Sequence, residues 1–276
     1  MIPRDYITEW RSEAPWVEDY QVEQDLVISK ALVDIFSHPL LAHSLAFRGG
    51  TALYKLFLRP PARYSEDIDL VQIEAAPAGP IMDALHEVLD PWLGRPRYKQ
   101  SEGRVTFDYR FMSEDPTPLK LKLKIEINTR EHFTVYGMEP MPFGVSSRWF
   151  EGSCEIPSYA LDELLGTKLR ALYQRRKGRD LFDLSTALAD GRASPQRIIE
   201  SFQAYMEHSG HAVSRAEFEE NLAAKLEDHR FSADIGPLLV HGHSWDLDAM
   251  AQGVLDVLLS RLPGEPWQGG AVGTHG

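Results

Sequence analysis

Asp67 and Asp69 stand two positions apart in Asp67-Ile68-Asp69-Leu70-Val71. On a strand, that spacing puts both carboxylates on one face and Ile68 and Leu70 on the other. Two carboxylates side by side repel unless a cation lies between them, and Mg²⁺ favours such oxygen ligands together with substrate phosphates. Upstream, the apolar run Leu45-Ala46-Phe47 ends in Arg48-Gly49-Gly50, and apolar residues then recur at helical spacing from Thr51 to Phe57. This predicts strand, turn and helix. Glycines let backbone approach a ligand, and the free N–H groups of the following helix favour an anion. Thr51 is placed to cap that helix or bond a phosphate, and Ser65 and Arg48 are further candidates for nucleotide contact, with Arg63 and Arg179 as additional phosphate contacts. The chemistry that these types suggest is that of a metal-bound phosphate.

A third carboxylate is supplied by Leu119–Asn128. Strict alternation gathers Leu119, Leu121, Leu123, Ile125 and Ile127 on one face and Lys120, Lys122, Lys124, Glu126 and Asn128 on the other. Glu126 is the only acid on the polar face, and it joins the aspartates if the two strands are neighbours. Further on, Lys168 falls inside the apolar stripe of a helix that also carries Leu161, Leu165 and Leu172. A cation there is explained by an anion at its tip. Asp180 and Asp183 lie at i and i+3 in Arg179-Asp180-Leu181-Phe182-Asp183-Leu184 and share a helix face; Asp180 alone reads as a helix N-cap.

The ordered set GGTAL, SEDIDL, an apolar-Glu-apolar strand, a helix with a lysine, and RDLFDL resembles the AbiEii/AbiGii-type nucleotidyltransferase toxins, within the DNA polymerase beta-like superfamily. The resemblance covers roughly Asp19 to Leu259. It implies that Asp67 and Asp69 hold Mg²⁺, with Glu126 as third ligand or as base where an Asp is more usual. It also implies that Gly49, Gly50 and Thr51 cradle phosphates, that Lys168 contacts the triphosphate, and that Asp180 is needed for activity. The donor would be a nucleoside triphosphate and the acceptor RNA, with the 3′ end of tRNA expected. A cognate antitoxin protein is a further expected partner. Ser65 phosphorylation would put negative charge beside Asp67 and oppose nucleotide binding. Competing readings are transfer to a protein hydroxyl or a small molecule, and an inactive fold serving as an interaction module.

The elements that must position these residues read as α+β, with a mixed sheet flanked by helices over residues 1–150. A helical domain over 151–262 and a disordered Gly-rich tail over 263–276 follow. The first 18 residues read as an irregular arm; helices are expected at Val22–Phe36 and Ile81–Leu93, and strands at Tyr98–Gln100, Val105–Phe111 and Leu119–Asn128. The segment from Pro140 to Pro157 reads as the join between halves, and Ser158 as the cap of a helix beginning at Tyr159. The nucleotide would lie between the halves.

With 276 residues and 43% hydrophobic content the chain can build a sizeable core. The single cysteine, Cys154, excludes an intramolecular disulfide and fits a reducing cytosol. No apolar run nears the ~20 residues of a membrane span, so a cytoplasmic protein is expected. A net charge of −12 opposes wholesale nucleic-acid binding. The run from Lys168 to Arg179, six basic residues and no acid, is a local exception and a candidate RNA contact.

Overall fold

A computed structural model of the chain describes residues 2–240, 242 and 245–269. The chain divides into two compact units. The first extends to Ala160 and takes in Leu239; the second comprises Leu161–Leu238 and the helix that follows it.

The first unit begins with α1 (Arg4–Trp10), α2 (Asp19–Ser37) and α3 (Pro39–Ser44), followed by β1 (Leu45–Arg48). Gly49–Ala52 then forms α4, whose turns widen to π geometry over Leu53–Phe57, and β2 (Asp67–Gln72), α5 (Gly79–Leu93), β3 (Arg97–Ser101), β4 (Arg104–Met112), β5 (Lys120–Asn128), β6 (Met138–Ser146) and β7 (Glu151–Tyr159) complete it. The seven strands form one mixed sheet in the order β3-β4-β5-β2-β1-β7-β6. β2 therefore sits near the middle, antiparallel to β1 and parallel to β5.

Alternation explains which face is covered. Leu121, Leu123, Ile125 and Ile127 of β5 and Val105, Phe107, Tyr109 and Phe111 of β4 are buried, as are Val22, Leu26 and Ile28 of α2 and Ile81, Leu85 and Leu89 of α5. Each fully buried aliphatic or aromatic side chain stabilises the fold by about 1.5–3 kcal/mol over an exposed one, so one face of the sheet is committed to helices. The face that carries Asp67, Asp69 and Glu126 is the other one.

Three local expectations are corrected. The N-terminal arm contains α1, a seven-residue helix whose Trp10 indole donates to Asp25 Oδ1 at 2.9 Å; long-range contacts rather than a long periodic pattern hold it. The Pro140–Pro157 segment is not a join but β6 and β7, and the boundary of the unit falls after Ala160. Pro140 and Pro142 are tolerated because β6 is an edge strand, where missing N–H donors break no second ladder. Ser158 lies in β7, where its buried hydroxyl donates to the Phe47 carbonyl at 2.8 Å, and does not cap a helix.

The second unit is helical: α6 (Leu161–Gln174), α7 (Gly178–Asp190), α8 (Pro195–His208), α9 (Arg215–Leu226), α10 (His229–Ala233) and α11 (Leu247–Val257). Leu164, Leu169, Leu181, Phe202 and Phe218 form part of its core. Within the stretch read as a disordered tail, residues 270–276 lie outside the described residues; the Trp267 N–H donates to Glu219 Oε2 at 2.7 Å. No helix among the described residues is long and apolar enough to cross a membrane.

Candidate active site

The glycine turn places backbone directly against the aspartate strand. Gly49 has φ +84°, a left-handed conformation that side chains disfavour. A Cβ on it would lie 2.4 Å from Asp69 Oδ2. A Cβ on Gly50 would meet Arg63 Nη2 at 2.6 Å, with Ser65 Oγ 3.5 Å away. Gly49 is thus required by space and by conformation, whereas a side chain at Gly50 would have to displace the Arg63 guanidinium. Thr51 is buried, and its hydroxyl donates to the Asp67 carbonyl at 2.5 Å and lies 2.8 Å from Ser65 Oγ. These bonds tie turn to strand, so Thr51 works as a fastener and Ser65 is its partner.

The register brings the third carboxylate into place. Asp67 is opposite Lys124 and Asp69 is opposite Glu126 in the parallel β2–β5 pair, while Arg48 is opposite Asp69 across β1. Residues opposite one another share a face, so the alternation of Leu119–Asn128 delivers Glu126 beside Asp69. Burial pushes the Asp69 carboxyl above its ordinary pKa, and the charges of Asp67 and Glu126 push it the same way against Arg48 and Lys124. A cation is what such a cluster lacks.

Lys124 stands in that role. Its ammonium is 3.0 Å from Glu126 Oε2 and 3.6 Å from Asp67 Oδ2. Burial lowers its affinity for the proton, but the hydrogen bond to Glu126 and the charges of Asp67, Glu126 and Asp69 more than offset this, and its pKa is raised. Arg104 Nε lies 3.3 Å from the other oxygen of Glu126. Arg48 donates to Glu131 at 2.8 Å. No group of three or more His, Cys, Asp or Glu side chains among the described residues is arranged as a metal cage. The donor set nevertheless fits a hard divalent ion: all oxygen, one half-buried carboxylate held above its usual pKa, and an ammonium placed where positive charge is wanted.

In the second unit, Lys168 is only 6% exposed and has its anions at hand, as its place in the apolar stripe required. They are Asp180 Oδ1 at 3.2 Å and Asp183 Oδ2 at 2.9 Å. Arg175 donates to both oxygens of Asp180, at 2.7 and 2.8 Å. Burial disfavours the Asp180 anion, but Lys168 and Arg175 hold its pKa below the ordinary value. Lys177, not Asp180, is the N-cap of α7. Asp180 instead anchors a buried charge network, a costly arrangement unless every member is paired.

The basic run is largely neutralised within its own unit. Arg176 meets Asp228 at 3.3 Å, while Lys177 and Arg179 meet Asp234 at 3.2 and 3.4 Å. Arg170 stacks over the Tyr205 ring at 4.9 Å. The acid-free basic run in the sequence is therefore not an unspent cationic patch.

Comparison with known proteins agrees with this geometry. The family model described as "Nucleotidyl transferase AbiEii toxin, Type IV TA system" matches residues 30–253. The chain belongs to the AbiEii nucleotidyltransferase toxin family. It is accordingly a transferase, and members of this family generally use a divalent metal. Among solved structures, MenT4, a nucleotidyltransferase toxin of Mycobacterium tuberculosis, is similar at a TM-score of 0.65 and 16% identity, over 96% of this chain and 91% of that one. JHP933 from Helicobacter pylori is similar at a TM-score of 0.56 and 16% identity, over 87% and 90%. At such identity these likenesses speak for the fold. No curated protein matches the AbiEii chain described here.

Proposed function

We propose that this AbiEii-family chain transfers a nucleotidyl group from a nucleoside triphosphate to an RNA acceptor, the 3′ end of tRNA being the expected site, with Mg²⁺ as the divalent ion. It would act in the cytoplasm and be restrained by a cognate antitoxin protein. The observation that carries this reading is the Asp67–Asp69 pair on one strand face, with Gly49 backbone so close to Asp69 that a single added carbon would touch its carboxylate.

Asp67 and Asp69 would hold the ion, and Glu126 would act either as its third ligand or as the base for the acceptor hydroxyl. When bound, the ion supplies positive charge to the triphosphate and to the pyrophosphate as it departs. The N–H groups after Gly49 and Gly50 point phosphate oxygens into register, and the Thr51–Ser65–Asp67 bonds keep that turn from drifting. Drift matters, because a misplacement of about 1 Å can cost on the order of 10²-fold in rate. As the base, Glu126 would take the proton from the attacking hydroxyl while that oxygen bonds to the α-phosphorus and the bond to pyrophosphate breaks. Arg104 and Lys124, one on each oxygen of Glu126, would hold that carboxylate in position. Lys168 would serve the triphosphate, with Asp180 and Arg175 fixing its position; that assignment rests on the family resemblance.

The test is to incubate the protein with total RNA, Mg²⁺ and each α-labelled nucleoside triphosphate in turn, with Asp67→Ala beside it. Label in a tRNA-sized band with the unaltered chain only is the expected result. Label entering protein or a small molecule instead overturns the RNA acceptor, and no label anywhere with the unaltered chain overturns transfer itself.

A further inference from the structure

The face of the sheet that bears the aspartates carries more than the metal-binding groups. The register sets Arg97 and Lys99 of β3 opposite Asp108 and Thr106 of β4, and Arg110 and Met112 of β4 opposite Lys122 and Lys120 of β5. Residues opposite one another share a face, so all of these stand on the side of Asp67, Asp69 and Glu126, away from buried Phe107, Tyr109 and Leu123. Three cations of this face have carboxylate partners: Arg104 with Glu126 at 3.3 Å, Lys122 with Asp108 at 3.5 Å, and Lys124 with Glu126 and Asp67. Arg97, Lys99, Arg110 and Lys120 are exposed and make no ion pair among the described residues.

We propose that this open face of β3, β4 and β5 is the docking surface for the sugar-phosphate backbone of the RNA acceptor, with Arg97, Lys99, Arg110 and Lys120 as its phosphate contacts. The inference rests on the reading of the acceptor as RNA, and gives that acceptor a place on the molecule.

Three observations carry it. The first is charge: unpaired cations collect on one face of a chain whose net charge is −12, whereas the basic run of the second unit is spent on Asp180, Asp228 and Asp234. Lys and Arg that neutralise phosphates supply the sequence-independent part of nucleic-acid binding. The second is direction. Lys120, Lys122 and Lys124 lie along β5 at about 6.6 Å intervals, and the parallel pairing of β5 with β2 begins at Lys124, which stands opposite Asp67. A backbone laid along this row from Lys120 travels about 13 Å and ends at the candidate metal site, where a terminal hydroxyl is needed. The third is what the face lacks. A protein partner is anchored by aromatic or aliphatic side chains in its interface core, but Met112, 48% exposed, is the one large apolar side chain standing out here; Tyr98 points to the opposite face, against His86 and Phe107.

The experiment measures equilibrium binding of unfractionated transfer RNA and of a short single-stranded RNA across a salt series. It uses the full chain, the quadruple variant Arg97→Glu, Lys99→Glu, Arg110→Glu, Lys120→Glu, and the milder variant with Gln at the same four positions. Loss of four phosphate contacts lowers the slope of log affinity against log salt by about 3 and the affinity at 0.1 M salt by roughly 10²-fold or more. That is the expected result for both variants, with nucleoside triphosphate binding in the presence of Mg²⁺ retained as the check on folding. If the unaltered chain binds RNA and either folded variant binds it with the same slope, the docking surface is overturned while the RNA acceptor stands. If the variants keep RNA binding and lose affinity for an acidic polypeptide such as polyglutamate, the face serves a protein and the inference is again overturned. An unaltered chain that binds no RNA even at low salt removes the RNA acceptor and the docking surface together.

Discussion

Gly49→Ala isolates the closest contact in the candidate site. The substitution carries two costs. One is the left-handed backbone at φ +84°, worth about 1–2 kcal/mol for a residue with a Cβ. The other is the carbon itself, 2.4 Å from Asp69 Oδ2 and 3.0 Å from Asp69 Cβ. Ordinary contact needs about 3.5 Å or more between such atoms, so the carboxylate or the turn must move by about 1 Å. A displacement of that size costs roughly 10²-fold in rate, or about 2.7 kcal/mol of barrier. Gly191→Ala supplies the control, because Gly191 has φ +80° with nothing within 4 Å of its added carbon. Both variants are expected to lose similar thermal stability from the backbone term, with Gly49→Ala somewhat lower. Only Gly49→Ala should lose nucleotidyl transfer, read as incorporation of α-labelled nucleotide and as melting temperature on the same preparations. Equal transfer rates in the two variants would refute the argument that this glycine exists to let backbone reach Asp69.

Asp69→Asn should abolish transfer, by about 10³-fold or more, yet melt higher than the unaltered chain without divalent ion at neutral pH, because it removes a carboxyl whose ionisation the fold opposes; a lower melting temperature would count against the charge crowding. Lys124→Met should melt lower without divalent ion and gain more from added Mg²⁺, since Asp67 and Glu126 lose their ammonium; an equal Mg²⁺ increment in both proteins would show that Lys124 does not stand in for the ion. Glu23 is 1% exposed, and burial, aided by Asp115, pushes its carboxyl up to about 7. Its folded state therefore holds a proton that the unfolded chain releases nearer 4.5, so stability falls as pH rises through that window. Glu23→Gln should flatten this decline and melt higher at pH 8, by an amount on the order of 1–3 kcal/mol; an unchanged pH profile of melting would refute it.

Much of the candidate site was legible because strand alternation is a strict code. Asp67 and Asp69 share a face for the same reason that Glu126 shares one with Lys124, and the glycine pair marked the turn that faces them. Pairing partners were harder to read. The alternation around Glu126 showed three lysines, but only the register identifies Lys124 as the one opposite Asp67. Lys168 was expected to meet a triphosphate; the anions it meets in the fold are Asp180 and Asp183, which the sequence presented as site residues in their own right. The basic run looked available because sequence shows the charges of one segment and not the aspartates, at 228 and 234, that fold back to meet them. β6 and β7 were obscured by Pro140, Pro142 and Pro157, which weigh against a strand in isolation; the two in β6 are harmless because one side of that strand has no neighbour. α1 is too short for its periodicity to be seen, and is held by Trp10 on Asp25.

The two margins of the sheet have a consequence for how copies of this protein meet. An open sheet presents a row of unpaired backbone groups at each side, a template on which another copy's strand can pair and extend. Here neither margin offers a usable template. β3 carries Arg97 and Lys99, which would repel the same residues of a second molecule brought alongside, and β6 carries Pro140 and Pro142, which have no N–H to donate. The sheet of the described residues thus carries, at each margin, residues that oppose backbone pairing with a second copy.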